Sequence, residues 1–289
     1  MTETVLSAEQ LHVRFPAHTG RGEVRAVDGV DLALHEGEIL ALVGASGSGK
    51  TTLSRTLLGL EQPTAGEVRF RGQPLPRSGR AQRAYRRQTQ LVMQDPSGAL
   101  NPKHSIYESV AEGIRLHRLS ELSARTEHPA TETELVARAL SRAGLRPPER
   151  FFLSYPHELS GGQRQRVLIA GALAVEPTVL IADEPVSSLD ASVRGEILAL
   201  FLRLRDELGL SLCVVTHDLG LAWNIADRVA VMSDGRIVES GPTEDVLLRP
   251  QHPYTRELLG ALPGERRPRS AVTVPEAGRP SPTTNTGTR

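Results

Sequence analysis

Short apolar runs alternate along this chain with segments whose apolar residues recur at helical spacing. Gln10–Phe15 switches between apolar and polar positions and predicts a strand. Ile39–Val43 is a compact apolar run ending at a glycine loop, and a helix from Lys50 to Leu60 follows. Glu67–Phe70 and Gln90–Met93 read as further strands, and Ile106–His117 and Glu132–Ala143 as helices. Between those helices Leu119–Thr131 is rich in Ser, Thr and charge and reads as an exposed link. Gly162–Val175 is a helix opened by glycines, and Val179–Ala182 is a buried strand. Val193, Ile197, Leu198, Phe201 and Leu204 mark an amphipathic helix over Val193–Leu208. Ser211–Val215 and Arg228–Met232 are strands again.

Strands alternating with helices imply an α/β fold, a parallel sheet covered by helices. From about Pro96 to Ala174 the pattern is mostly helical and reads as a helical subdomain inserted into the sheet domain. From about Gly264 the chain is Pro, Thr, Gly, Ser and Arg with little to bury, which predicts a disordered tail over 264–289.

Composition narrows the function classes. Lys plus Arg and Asp plus Glu number 34 each, so the chain offers no overall basic field, and no nucleic-acid partner is expected. The one cysteine, Cys213, excludes a disulfide framework, a four-cysteine zinc site and an iron–sulfur cluster within one chain, and suits a reducing cytoplasm. Met1–Gln10 is polar and acidic, unlike a signal peptide. The longest apolar stretches, such as Val167–Val175, are too short to span a bilayer, so a membrane role must come through partner proteins.

Gly44-Ala45-Ser46-Gly47-Ser48-Gly49-Lys50-Thr51 fits G-x-x-x-x-G-K-[ST] between a predicted strand and a predicted helix. Glycines let the backbone curl so that N–H groups face phosphate oxygens, and the helix that follows, with Thr52 in its first turn, presents its positive end to the anion. Lys50 is placed to reach the β- and γ-phosphates of ATP, and the Thr51 hydroxyl to bind Mg²⁺. Val179–Ala182 runs into Asp183 and Glu184. A carboxylate at a strand end beside a phosphate loop holds Mg²⁺, which assigns Asp183, and the next one orients or deprotonates the attacking water, which assigns Glu184.

Leu159-Ser160-Gly161-Gly162-Gln163 precedes a helix just ahead of that strand and resembles the signature sequence of ATP-binding cassette (ABC) proteins. The resemblance implies a P-loop NTPase core with a mostly parallel sheet, an antiparallel N-terminal β subdomain, the inserted helical subdomain and a short C-terminal extension. It also implies that Ser160, Gly161, Gly162 and Gln163 complete the ATP site of a second ATPase subunit, in a homodimer or a heterodimer. Ser160 equally suits an N-cap of its own helix. Gln94 resembles the glutamine that links the site to the helical subdomain and touches Mg²⁺ or the lytic water. Ser188-Leu189-Asp190 resembles the loop that crosses the dimer interface, or else Asp190 caps the following helix. His217 resembles the switch histidine at the γ-phosphate. Phe15 either stacks on adenine or belongs to the core.

Three stretches resemble the peptide and nickel importers within that family. They are Val92–Pro96 with Leu100–Pro102, Ala226–Met232 with Gly235–Glu239, and Gln251–Leu259, which is similar to those ATPases' C-terminal extension, here about 249–263 within an ATPase unit of 1–263. The resemblance implies two transmembrane permease subunits, a solute-binding protein met through them, and a peripheral position on the cytoplasmic face of the membrane. Gly171 departs from the arginine usual in relatives, which puts the packing of that helix in question. A soluble ABC ATPase of DNA repair or translation is the competing reading. The chain has neither the inserted coiled coil of the first kind nor the tandem cassettes of the second. Arg77, Arg80, Arg83, Arg86 and Arg87 read as a solvated face.

Overall fold

The computed structural model describes residues 3–16, 22–124 and 129–261. In chain order it runs β1 (Thr4–Pro16), β2 (Glu23–His35), β3 (Ile39–Val43), α1 (Lys50–Leu57), β4 (Ala65–Phe70), β5 (Gln73–Pro74), α2 (Gly79–Gln88) and β6 (Thr89–Val92). Then come α3 (Pro96–Ala99), α4 (Ile106–Leu116), α5 (Leu119–Ser123), α6 (Glu132–Arg142), α7 (Gly161–Leu173), β7 (Val179–Asp183) and α8 (Ala191–Leu208). The remainder is β8 (Ser211–Thr216), α9 (Leu219–Ile225), β9 (Arg228–Ser233), β10 (Arg236–Pro242), α10 (Thr243–Leu248) and α11 (Pro253–Gly260).

The strands form two sheets. One, in the order β2-β1-β4-β5, is antiparallel throughout. The other, in the order β10-β9-β3-β8-β7-β6, is parallel except for β10 at its edge. Successive side chains of a strand point to opposite faces, and both faces of the parallel sheet are covered. Leu40, Leu42, Val179, Ile181, Cys213 and Val215 pack with α1 and the antiparallel sheet. Leu180, Ala182, Leu212 and Val214 face the helical region, where α4, α6, α7 and α8 bury Ile114, Leu140, Ile169 and Phe201. Ala41, Val43, Val229 and Val231 pack with α9, α10 and α11. This two-sided burial explains why β3 and β8 read as unbroken apolar runs. Burial also pushes the Cys213 thiol up to about 12.

Several expectations shift. The Leu119–Thr131 link is corrected in part: its first turn is α5, and Leu119 is buried against the helical core because its neighbours supply an apolar floor. Residues 125–128 lie outside the described residues, as do 262–289 and with them the expected tail. α1 stops at Leu57, since Gly59 takes a positive φ that ends the helix. The N-terminal strand is longer than its alternation predicts, and β2 carries no clear alternation because Asp28, Gly29 and Asp31 interrupt it. α7 runs unbroken through Gly171, where an added Cβ would meet only ordinary contact with α4. Arg77, Arg80, Arg83 and Arg86 are exposed, while Arg87 donates to the Val175 carbonyl.

Candidate nucleotide site

The loop 44–49 leaves the C-terminal end of β3 and enters α1, in the place where a parallel sheet opens a crevice. Its walls are backbone. A Cβ on Gly49 would collide with the Ala26 carbonyl, and one on Gly44 with the Met232 carbonyl, so only glycine fits at either position. Gly49 also has φ 106° and stands at the N-cap of α1 with no side chain capping the helix. The Gly235 amide donates to the Ser48 carbonyl at 2.9 Å, tying the loop to the β9–β10 turn.

A cleft of about 900 Å³ opens over this loop. Ala45, Ser46, Gly47, Gly49, Lys50, Thr51 and Thr52 line one side, and Gln94, Asp183, Glu184 and His217 the other. Val24, Arg25 and Ala26 close it from β2. Lys50 is buried, and its ammonium donates to the Gly44 and Ala45 carbonyls at 2.8 and 2.9 Å. Burial draws the Lys50 pKa down, and the Glu184 and Asp183 carboxylates partly restore it. Burial raises Asp183, opposed by a hydrogen bond with the Thr51 side chain. The loop's Ser48 hydroxyl is buried without a protein partner.

Glu184 follows the end of β7 with φ 49°, a left-handed conformation a glutamate adopts only under constraint. Its amide donates to the Val215 carbonyl at 2.8 Å. Its carboxylate accepts from the His217 backbone N–H at 3.0 Å and the Thr216 hydroxyl at 3.4 Å, and lies 2.7 Å from His217 Nδ1. An ionised carboxylate only accepts, so Nδ1 carries the hydrogen when Glu184 is charged. The rest of the His217 ring is exposed to the cleft.

Other expected residues lie elsewhere. Ser160 caps α7: its hydroxyl accepts from Gln163 N at 3.2 Å, and Gln163 Oε1 accepts from Ser160 N at 2.9 Å. Ser160, Gly161, Gly162 and Gln163 are not among the lining residues of the cleft. Gly162 is buried where α7 meets Val193 of α8. Asp190 stands at the N-cap position of α8, exposed, with no side-chain capping bond. Phe15 packs against the core beside the antiparallel sheet, and its register partner Val24 is the residue that reaches the cleft. Sequence reasoning missed Arg25 and Ala26, since no local motif marks the far wall of a cleft.

Comparison with known proteins agrees with this geometry. Residues 27–187 match the family described as ABC transporter, and residues 238–287 match "Oligopeptide/dipeptide transporter, C-terminal region". The chain is 40% identical over 265 residues to the oligopeptide transport ATP-binding protein OppF of Lactococcus lactis subsp. lactis, covering 90% of this chain and 80% of that one. It is 45% identical over 271 residues to the glutathione import ATP-binding protein GsiA of Escherichia coli K12, where it spans only 41% of the relative. Among solved structures, cbiO1 of Clostridium perfringens, part of the ABC transporter complex cbiONQ, superposes with a TM-score of 0.73 at 30% identity, over 89% of this chain and 94% of that one. The cassette MJ0796, seen as a dimer bound to ADP and Pi, gives 0.69 at 27% identity, over 82% and 98%. The chain belongs to the ABC transporter family, in its oligopeptide/dipeptide branch, as the ATP-binding and ATP-hydrolysing subunit that powers an importer.

Proposed function

We propose that this subunit drives peptide uptake through two permease subunits, by closing with a second ATPase subunit around ATP. The observation that carries the chemistry is the meeting of Lys50, Asp183, Glu184, Gln94 and His217 in one cleft over the phosphate loop. Peptide cargo rests on the relatives' names, oligopeptide transport and glutathione import, and on the matched C-terminal region. Nickel is the cargo the same branch offers as a second choice. The likeness to importer ATP-binding proteins supports a peripheral position on the cytoplasmic face, docked on the permeases. No described helix is long and apolar enough to cross a membrane.

The Thr51 hydroxyl, the Asp183 carboxylate and the Gln94 side-chain carbonyl are the hard oxygen donors that would hold Mg²⁺ beside substrate phosphates. When bound, Mg²⁺ neutralises charge on the β- and γ-phosphates. Lys50 releases the Gly44 and Ala45 carbonyls and turns to those phosphates, whose charge favours its protonated form. Glu184 accepts a proton from the water that attacks the γ-phosphorus, while the bond to the β-phosphate oxygen breaks and ADP leaves. His217 and Thr216 hold Glu184 in its left-handed position, and the exposed edge of His217 faces the γ-phosphate. Ser160, Gly161, Gly162, Gln163 and Asp190, outside their own chain's cleft, serve the partner's ATP. Phe15 packs behind the cleft wall, and an adenine-stacking role requires the β1–β2 end to close over the base.

Gln94 stands two residues past the end of β6 and two before α3, the first helix of the inserted region. Closure around ATP thereby turns the helical region against the permeases. The test is the intact complex in liposomes with peptide supplied. Gln94→Ala is expected to leave ATP affinity within about twofold and to lower uptake and peptide-stimulated ATPase by about tenfold or more. Uptake at the parent rate in this variant refutes the coupling role, and absence of peptide-stimulated ATPase in the parent complex refutes peptide as cargo.

A further inference from the structure

The C-terminal extension reaches the phosphate loop. Tyr254, in the first turn of α11, places its hydroxyl 3.1 Å from the Ala45 amide, which donates to it. The two residues are 209 positions apart. Every step of the route is fixed. Glu239 on β10 accepts from the backbone amides of Gln251 and His252 at 2.7 and 3.1 Å, setting where the chain turns into α11. His252 Nδ1 then accepts from Tyr254 N, and Pro253 opens the helix. The Tyr254 ring packs with Leu258 and Leu259 against the cluster of Ala41 and Val43 on β3, the strand whose end becomes the loop.

Ala45 is thus held from two sides: Lys50 grips its carbonyl, and Tyr254 takes its amide. The two clips differ in what ATP does to them. Lys50 must let go to reach the phosphates, whereas Tyr254 carries no charge that the nucleotide needs. Without a second clip, the loop mouth would loosen at the step that engages the nucleotide. Order already present in the free protein is order that binding does not have to create.

We propose that Tyr254 is a positioning residue for ATP, by which the C-terminal extension holds the phosphate loop open in its binding shape. This rests on the reading of 44–52 as the nucleotide loop. Tyr254→Phe keeps the ring and its packing and removes only the acceptor. The test uses the full chain, a fluorescent ATP analogue with Mg²⁺, and hydrogen exchange of the Ala45 amide in the free protein. One hydrogen bond predicts an ATP Kd about two- to tenfold weaker, with exchange at Ala45 faster by a similar factor. An affinity within about twofold of the parent, or a weaker affinity with exchange at Ala45 unchanged, overturns the proposal. Lys50→Ala in the same assay separates the failures: parent-like nucleotide affinity there sinks the loop assignment itself, whatever Tyr254→Phe does.

Discussion

Two helices of this protein begin in glycine-rich turns, and they treat their first amides in opposite ways. α1 starts after Gly49, which has no side chain, and nothing caps it. Its first-turn N–H groups have no helical partner and remain for a ligand, at the positive end of the helix. α7 starts after Ser160, which closes a reciprocal capping box with Gln163. α1 opens inside a walled cleft of its own chain, while Ser160 and Gly161 are exposed on the surface. The contrast teaches that one sequence device, glycines where a helix starts, serves two purposes. On the proposed function, nucleotide completes the uncapped turn, and the capped turn, closed by its own Ser160 and Gln163, faces another subunit.

The sharpest break of this comparison is on the α1 side. Lys50→Ala removes the cation that serves the uncapped turn, and ATPase activity of the assembled complex is expected to fall by at least about 10³-fold. Parent-like turnover would show that α1 is not the catalytic anion site. Next comes Glu184→Gln, which keeps the shape and loses the base. Hydrolysis should drop by about 10² to 10⁴-fold while ATP still binds, and an ATP-held dimer should accumulate on size-exclusion chromatography. Loss of ATP binding in this variant would instead make Glu184 a structural residue.

The α7 side is sharpened by a matched pair. Ser160→Ala and Thr131→Ala each remove one capping box, on α7 and on α6. Each should lower stability by about 1 kcal/mol and Tm by about 2–4 °C, with ATP affinity of the single chain unchanged. Only Ser160→Ala should also cut ATPase of the assembled complex, by about tenfold or more. Equal ATPase in the two variants would leave Ser160 with nothing beyond its cap.

The site was legible in sequence where its residues are neighbours along the chain. Phosphate chemistry needs consecutive amides, a lysine and a hydroxyl on one tight turn, so Gly44–Thr52 is a continuous word. Asp183 and Glu184 follow an apolar strand because a parallel sheet delivers its side chains at strand ends. The resemblance to the ABC family likewise rested on contiguous motifs. Illegible were the features that arise when distant segments meet. α5 hides in a polar stretch because one buried leucine on a neighbour's apolar floor suffices to dock a single turn. Phe15 could not be placed, since an aromatic at a strand end suits core and ligand alike until the facing strand is known.

The sequence by itself determined the order of elements, the phosphate loop and the paired carboxylates, because local backbone geometry and short-range chemistry dictate which residues can occupy such turns; the branch of the family was legible only through resemblance. Only the tertiary structure decided which groups share the cleft. It set His217 against Glu184 across 33 positions, Val24 rather than Phe15 toward the cavity, and Tyr254 on the amide of Ala45. Those pairings follow from sheet order and from which faces bury one another, and sheet order depends on the burial and pairing of the whole chain at once.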